Sequence, residues 1–309
     1  MKDIAREISA RDSFTIACHI NPDADTLGSA LALSMALESI GKKTLVFSSD
    51  GVPGNYRFLP GCERIVSELP SDAPSTLILL DCNAPKRAAL EDAEFGYSIV
   101  IDHHNTESDF GDLRHIVPTA SSTGLLMHTL IAELGVKLTP DMATNIYTAM
   151  ALDTGSFRYS NTDARTLRAA SELVEAGADP GYIANKLYNS WSDGRFGLFK
   201  SYISSVEDHG RLRLGCITQQ MLDQAGTAMN DTEHFVNYPL LVESVTISVL
   251  MKEHTGGTWR CSLRSKGVIN VAGVAEALGG GGHKNAAGCT VHGTFEEVRA
   301  KLLELLEKV

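Results

Sequence analysis

The sequence predicts an α/β fold: a mostly parallel sheet flanked by helices, followed by a smaller mixed α/β domain. Three observations lead there. Residues 14–19, 76–81 and 98–102 (FTIACH, TLILLD, SIVID) are continuous apolar runs of strand length, as in sheets buried on both faces by helices. Stretches with helical apolar spacing alternate with them, the pattern of a parallel sheet. The second half of the chain then changes character, with further strand-like runs broken by a glycine-rich segment.

Taken in order, residues 14–19 form the first strand. Residues 29–40 (SALALSMALESI) are apolar at helical spacing, with Thr26 as an N-cap and Gly41 as the stop. Residues 44–48 (TLVFS) read as the next strand, and the runs 76–81 and 98–102 each end in aspartate. Helical spacing covers 124–134 and 141–152, and an amphipathic helix spans 163–176, closed by Gly177. Between 187 and 210 the segment NSWSDGRFG combines a hinge with a helix start, so the domain boundary falls there. The expected division is a first domain at 1–188, a linker at 189–209 and a second domain at 210–309. In the second domain, 211–218, 245–252 and 258–264 look like strands, and 294–307 forms a final helix.

A chain of 309 residues fits two domains, and its 43% hydrophobic and 21% charged residues are ordinary for globular proteins. No run approaches the roughly 18 apolar residues of a membrane span. The opening MKDIAREISARDSF is charged throughout and lacks the apolar stretch of a secretory signal. The six cysteines are scattered without a CxxC pair, which reads as buried free thiols in a reducing compartment. A cytoplasmic location follows, with no membrane association. The net charge of −11 argues against a protein that coats long duplex nucleic acid. It leaves a nucleotide substrate open, because bound divalent ions offset negative charge locally.

The informative pattern is where acids and imidazoles fall. His19 ends the first strand, with Asp23 and Asp25 in the loop after it; Asp81 ends another strand; Asp102, His103 and His104 end a third. In an open parallel sheet, ligands gather at the carboxyl ends of strands. Asp153, in MALDTGSF, arrives instead from the end of a helix. So many aspartates in one pocket would repel one another unless cations neutralised them. Carboxylates mixed with neutral imidazoles, and no thiolate, suit a first-row divalent ion such as Mn²⁺ better than a structural zinc. The number of donors favours two ions sharing a carboxylate. Taken singly, each residue has a plainer explanation: a solvated strand-end Asp, a hydrogen-bonded histidine, an Asx turn before a helix. Their joint occurrence on the right elements is what carries weight.

The series H-x-N-P-D-x-D-x-x-G-S (residues 19–29), LD at Asp81, DHH at 102–104 and DTG at 153–155 resembles the DHH phosphoesterase superfamily. GGGGHKNAAG (279–288) is similar to its DHHA1 domain, and the size and layout resemble the stand-alone nanoRNases and pAp phosphatases. The resemblance spans nearly the whole chain. It implies that His19 and Asp23 hold one ion, that Asp25, His103 and Asp153 hold the other, and that Asp81 bridges them. It further implies that Asp102 orients a ligand histidine and that His104 faces the substrate phosphate. Asp81, Asp102 and His104 are thus the catalytic candidates. Ala24 stands where many relatives have glycine.

Arg158 lies just beyond a ligand, where it pairs either with a phosphate or with a surface carboxylate. In the second domain, Gly280, Gly281 and Gly282 offer backbone N–H groups for a phosphate or ribose, with His283 after them and Arg264 and Ser265 upstream. The expected activity is two-metal hydrolysis of 3′-phosphoadenosine 5′-phosphate (pAp) and short single-stranded oligoribonucleotides; a homodimer is allowed. Two alternatives stand beside it. A manganese inorganic pyrophosphatase shares the DHH domain but not the GGGGH segment, and a catalytically silent nucleotide-binding regulator would not need the intact ligand run.

Overall fold

A computed structural model of the chain describes residues 1–105 and 108–309. The chain divides into two compact units, Met1–Ser190 and Trp191–Val309.

The first unit runs α1 (Lys2–Ser9), β1 (Ser13–Ala17), α2 (Ala24–Ser39), β2 (Lys43–Phe47), β3 (Thr76–Leu80), β4 (Tyr97–Asp102) and β5 (Leu113–Ile116). Helices α3 (Thr123–Glu133), α4 (Pro140–Asp153), α5 (Ala164–Glu175) and α6 (Pro180–Tyr188) complete it. Its sheet has the order β2-β1-β3-β4-β5 with every pair parallel. The strand order reverses between β1 and β3, which makes the crevice at their carboxyl ends the natural ligand site of such a sheet.

Alternate strand residues divide between two cores. Phe14, Ile16, Ile78, Leu80, Ile99 and Ile101 pack with the helices. Ala17, Leu77, Leu79 and Val100 pack instead against Cys82, Ala88 and Leu90 from the segment after β3. That segment holds a 3₁₀ turn at Pro85–Ala88. The expectation of helices over both faces therefore holds for one face, and irregular chain covers the other.

Helix α2 begins earlier than its apolar run suggests. Asp23, in place of Thr26, is the N-cap, accepting from the backbone N–H groups of Asp25 and Thr26 at 2.9 and 3.2 Å. The Thr26 hydroxyl instead donates to the Leu80 carbonyl. Burial of nearly all residues from Ala24 to Leu37 explains the scarcity of charge in this helix. Gly28 lets α4 come close, since a Cβ there would meet the Asn145 carbonyl oxygen at 2.4 Å.

The second unit contains α7 (Asp193–Ser204), β6 (Glu207–His209), β7 (Leu212–Ile217), α8 (Gln219–Ala225), β8 (Ile247–His254), β9 (Thr258–Ser265), α9 (Ala272–Ala277), β10 (Gly281–His283), β11 (Ala286–His292) and α10 (Phe295–Leu306). Its sheet, β10-β11-β9-β8-β7-β6, is mixed: β7 and β8 are parallel and the other pairs antiparallel. Residues 189–209, expected as a linker, hold α7 and β6. Ser192 caps α7 by accepting from the Arg195 N–H, and Leu198 and Tyr202 are buried with Phe235 in a core of this unit. The polar residues there mark a capped helix start.

The glycine-rich segment is ordered as a β10–β11 hairpin with Gly281 opposite Gly288. A Cβ at Gly280 would fall 2.1 Å from the Gly288 carbonyl oxygen, and one at Gly282 (φ +144°) would fall 2.5 Å from that of Ala286. These two glycines thus serve the hairpin's own packing, whereas Gly281 faces open space. All six cysteines are free, Cys62 and Cys216 being only partly buried. Among the described residues no helix is long and apolar enough to cross a membrane.

Candidate metal centre

Folding collects the first unit's acids and imidazoles at the carboxyl ends of β1, β3 and β4. His19 follows β1, and its Nδ1 lies 2.9 Å from the Ile20 carbonyl. That contact turns Nε2 toward Asp81 Oδ2 at 3.3 Å and Asp23 Oδ1 at 3.8 Å. His103 is held the same way, with Nδ1 3.4 Å from the Ala120 carbonyl. Its Nε2 faces Asp153 Oδ2 at 3.1 Å, Asp81 Oδ1 at 3.4 Å and Asp25 Oδ2 at 3.6 Å. A backbone carbonyl on one ring nitrogen leaves the other to act as a ligand, the usual support of a metal-bound histidine.

Three overlapping triads result: His19, Asp23 and Asp81; Asp25, His103 and Asp153; and Asp81, His103 and His104, each with ligand atoms within 4.8 Å of one another. Asp81 and His103 therefore link the groups. The Asp81 backbone lies at φ +60°, the left-handed region, on the residue directly after β3. A non-glycine residue there is uncommon, and this one carries a carboxylate common to two of the triads.

Two supporting contacts are not apparent from the residue types. The N-terminus of α3 presents the Thr123 and Gly124 N–H groups to the two oxygens of Asp25, each at 2.8 Å. The Thr123 hydroxyl donates to Asp81 Oδ1 at 3.0 Å. The signal available in the sequence was SSTG at 121–124, whose Ser122 caps α3. Thr123→Val is expected to leave the fold intact and to weaken divalent-ion affinity by about 10- to 100-fold, the scale of lost outer-sphere support. A Mn²⁺ titration of the purified variant measures this, and unchanged affinity would remove Thr123 from the site.

Asp102 is fully buried and accepts from the His104 backbone N–H at 3.0 Å, with His104 Nδ1 at 2.7 Å from the same oxygen. The histidine it orients is His104, which is grouped with Asp81 and His103 among the metal-competent donors. Adjacency in sequence and the turn after β4 bring Asp102 and His104 together.

The electrostatics fit a site built for cations. Burial disfavours the charged form of His19, but the carboxylates of Asp23 and Asp81 outweigh it and push the imidazole up to about 10. Burial likewise opposes His103, and Asp153 and Asp81 push it up to about 12. Burial raises Asp25 well above the usual carboxylate range, with Asp81 and Asp153 adding to it. Asp153 rises to about 6, from burial first, partly offset by His103. Three carboxylates converge on the buried Nε2 of His103 at 3.1 to 3.6 Å. Oxygen and imidazole donors aimed at a common point, with no thiolate among them, fit divalent cations.

Metal uptake should consequently displace protons. Without metal, imidazoles pushed to about 10 and 12 are protonated near neutrality, whereas ligation needs them neutral. Apparent affinity should rise with pH. Their raised values also stabilise the metal-free fold below the ordinary 6.5, and that contribution fades as pH climbs through about 10 to 12. Calorimetric Mn²⁺ titrations in buffers of different ionisation enthalpy should report net proton release; heats independent of buffer would contradict it.

The remaining candidates lie outside these triads. Arg158 is exposed, and its Nε donates to the Gly155 carbonyl at 2.6 Å. In the second unit, Arg264 pairs across strands with Ala286, and His283 also pairs with Ala286. The Ser265 hydroxyl donates to the Ile269 carbonyl and accepts from Asn285 Nδ2, each at 2.8 Å. Asn285 also bonds the carbonyls of Gly267 and Ile269, so it ties the loop after Ser265 to the hairpin turn. Its role was hidden because a turn asparagine has many local uses.

A parallel sheet with carboxylate–imidazole triads at its switch point defines a class of metal-dependent hydrolases with an α/β catalytic domain. Known proteins make this specific. The sequence matches the DHH family, N-terminal domain, over residues 13–152 and the DHHA1 domain over residues 214–309. It is 35% identical to the bifunctional oligoribonuclease and PAP phosphatase NrnA of Thermus thermophilus, covering 95% of this chain and 89% of that one. Identity to the Bacillus subtilis protein of the same name is 26%, over 96% and 95% of the two chains. The crystal structure of an exopolyphosphatase-related protein from Bacteroides fragilis superposes with a TM-score of 0.93 at 31% identity, covering 99% of this chain and 95% of that one. The chain belongs to the DHH–DHHA1 phosphoesterase family.

Proposed function

We propose that this chain is a phosphohydrolase of pAp and of oligoribonucleotides a few residues long, working with two divalent cations, Mn²⁺ being the ion its donors suit best. The observation that carries the reading is the set of carboxylate–imidazole triads around Asp81 and His103, with three carboxylates converging on the buried Nε2 of His103. The names of the Thermus and Bacillus relatives support the substrate class.

His19, Asp23 and Asp81 would hold one cation, and Asp25, His103, Asp153 and Asp81 the other. Paired cations supply Lewis acidity and acidify a water at neutral pH. The protein's own groups do the rest. Asp102 clamps His104 through Nδ1 and favours its charged form, so the ring is held pre-oriented for a phosphate oxygen. Arg158 is proposed to add positive charge beside Asp153. Arg264, Ser265, Gly280, Gly281, Gly282 and His283 are proposed to receive the nucleotide in the second domain, Gly281 being the open position of the hairpin. Six free thiols suit a reducing compartment such as the cytoplasm.

The test is a metal-by-substrate matrix on purified, chelator-treated protein. Mn²⁺, Mg²⁺ and Co²⁺ are each combined with pAp, the dinucleotide pApA, short and long RNA, and pyrophosphate, with products resolved by chromatography. Turnover of pAp and short RNA should return on adding Mn²⁺, and long RNA should be poor. Preference for pyrophosphate, or undiminished turnover without metal, would overturn the reading.

A further inference from the structure

The second sheet sets two cysteines side by side. Strands β9 and β11 run antiparallel with Cys261 directly opposite Cys289. Directly opposed residues project from one face with Cα atoms about 4.5–5.5 Å apart. A disulfide takes Cα separations of about 4.4–6.8 Å. Both are free thiols, 1% and 5% exposed, within the core that also contains Val298 and Leu302 of α10. They are close enough to perturb each other: contact with Cys261 holds the Cys289 thiol below its ordinary value, and Lys301 adds to this.

We propose that Cys261 and Cys289 are a reversible dithiol–disulfide site that cross-links β9 to β11 beneath the glycine hairpin, with small-molecule disulfides as the oxidant. Cys289 is covered by Gly280, whose missing side chain would otherwise sit 2.6 Å from the Cys289 Cβ. β10, which leads the hairpin, is a three-residue edge strand, the kind of element that opens locally at low cost.

The chemistry balances without a further reactant. The Cys289 thiolate attacks one sulfur of the small disulfide, forming a mixed disulfide and releasing one thiolate, which takes up the proton Cys289 gave. Cys261 then loses its proton, attacks the Cys289 sulfur and expels the second small thiol. Two protein thiols are oxidised and one disulfide is reduced. The bond would join neighbouring antiparallel strands. It would also stiffen the hairpin next to Gly280 and the strand that ends in Arg264 and Ser265. That last consequence rests on the proposed substrate-binding role; the bond itself does not.

The experiment uses the full chain, incubated folded with excess oxidised glutathione. It is then denatured, alkylated and analysed by mass spectrometry before and after dithiothreitol. The expected product has two fewer alkylatable thiols and a Cys261–Cys289 linked peptide, lost on reduction and absent from Cys289→Ser. An unchanged thiol count, mixed disulfides that never close, or a bond between other cysteines would overturn the proposal. The mass readout does not use activity, so it stands apart from any failure of the hydrolase reading. If turnover of pAp is found, oxidation should raise KM more than it lowers kcat.

Discussion

Replacing Asp81 with asparagine is expected to lower kcat by about 10³-fold or more, the scale of losing a central electrostatic group, while the protein stays folded. Asp81 lies 3.3 Å from His19 Nε2 and 3.4 Å from His103 Nε2. Without its charge neither proposed cation site would keep its ligand count. Asparagine is the informative choice because position 81 lies at φ +60°. Alanine there would add about 1 kcal/mol of backbone strain, whereas asparagine tolerates the left-handed region. Burial opposes the Asp81 charge, but His103 and His19 outweigh it and hold the carboxyl below its ordinary range, so the metal-free variant should melt somewhat below wild type while remaining folded. Kinetics, metal stoichiometry and a melt on one preparation separate these effects. Retained turnover would strike Asp81 from the centre.

The second large effect is structural. Gly28→Ala should destabilise the chain by about 1–3 kcal/mol, the usual cost of overpacking. A Cβ at Gly28 would meet the Asn145 carbonyl oxygen at 2.4 Å and Ala149 Cβ at 3.4 Å. The nearest obstacle is backbone, so α4 as a whole must give way. α4 ends in Asp153, and its displacement should also weaken Mn²⁺ binding by about tenfold, the lower range for disturbed support of a metal site. Thermal unfolding and a metal titration measure both consequences. A melt equal to wild type would show that α2 and α4 are less tightly apposed than the structure has them.

Much of this was legible in the residues. Strands β1, β3 and β4 announced themselves as apolar runs, and the groups that end them, His19, Asp81 and Asp102, are those the fold brings to one edge. What stayed hidden depended on groups without a chemical signature. The donors to Asp25 are backbone N–H groups at the start of α3, identified by position alone. The left-handed turn at Asp81 depends on the exit from β3, which no local pattern specifies. Which histidine Asp102 orients was not legible: it holds His104, while backbone carbonyls of Ile20 and Ala120 support His19 and His103. The run of glycines suggested a ligand cradle, and the hairpin supplies a packing reason for Gly280 and Gly282 that composition cannot reveal. Strand β5 was missed because LRHI is short and half-buried. The helix at Asp193–Ser204 was obscured by the polar residues that cap it.

The central claim is that residues from 19 to 153 form one two-cation centre about Asp81. An anomalous-difference map from Mn²⁺-soaked crystals, collected at the manganese edge, tests it most directly. Two peaks should flank the Asp81 carboxylate, one against His19 and Asp23 and the other against Asp25, His103 and Asp153. A map with no peak among these side chains, or with manganese bound elsewhere, would contradict it.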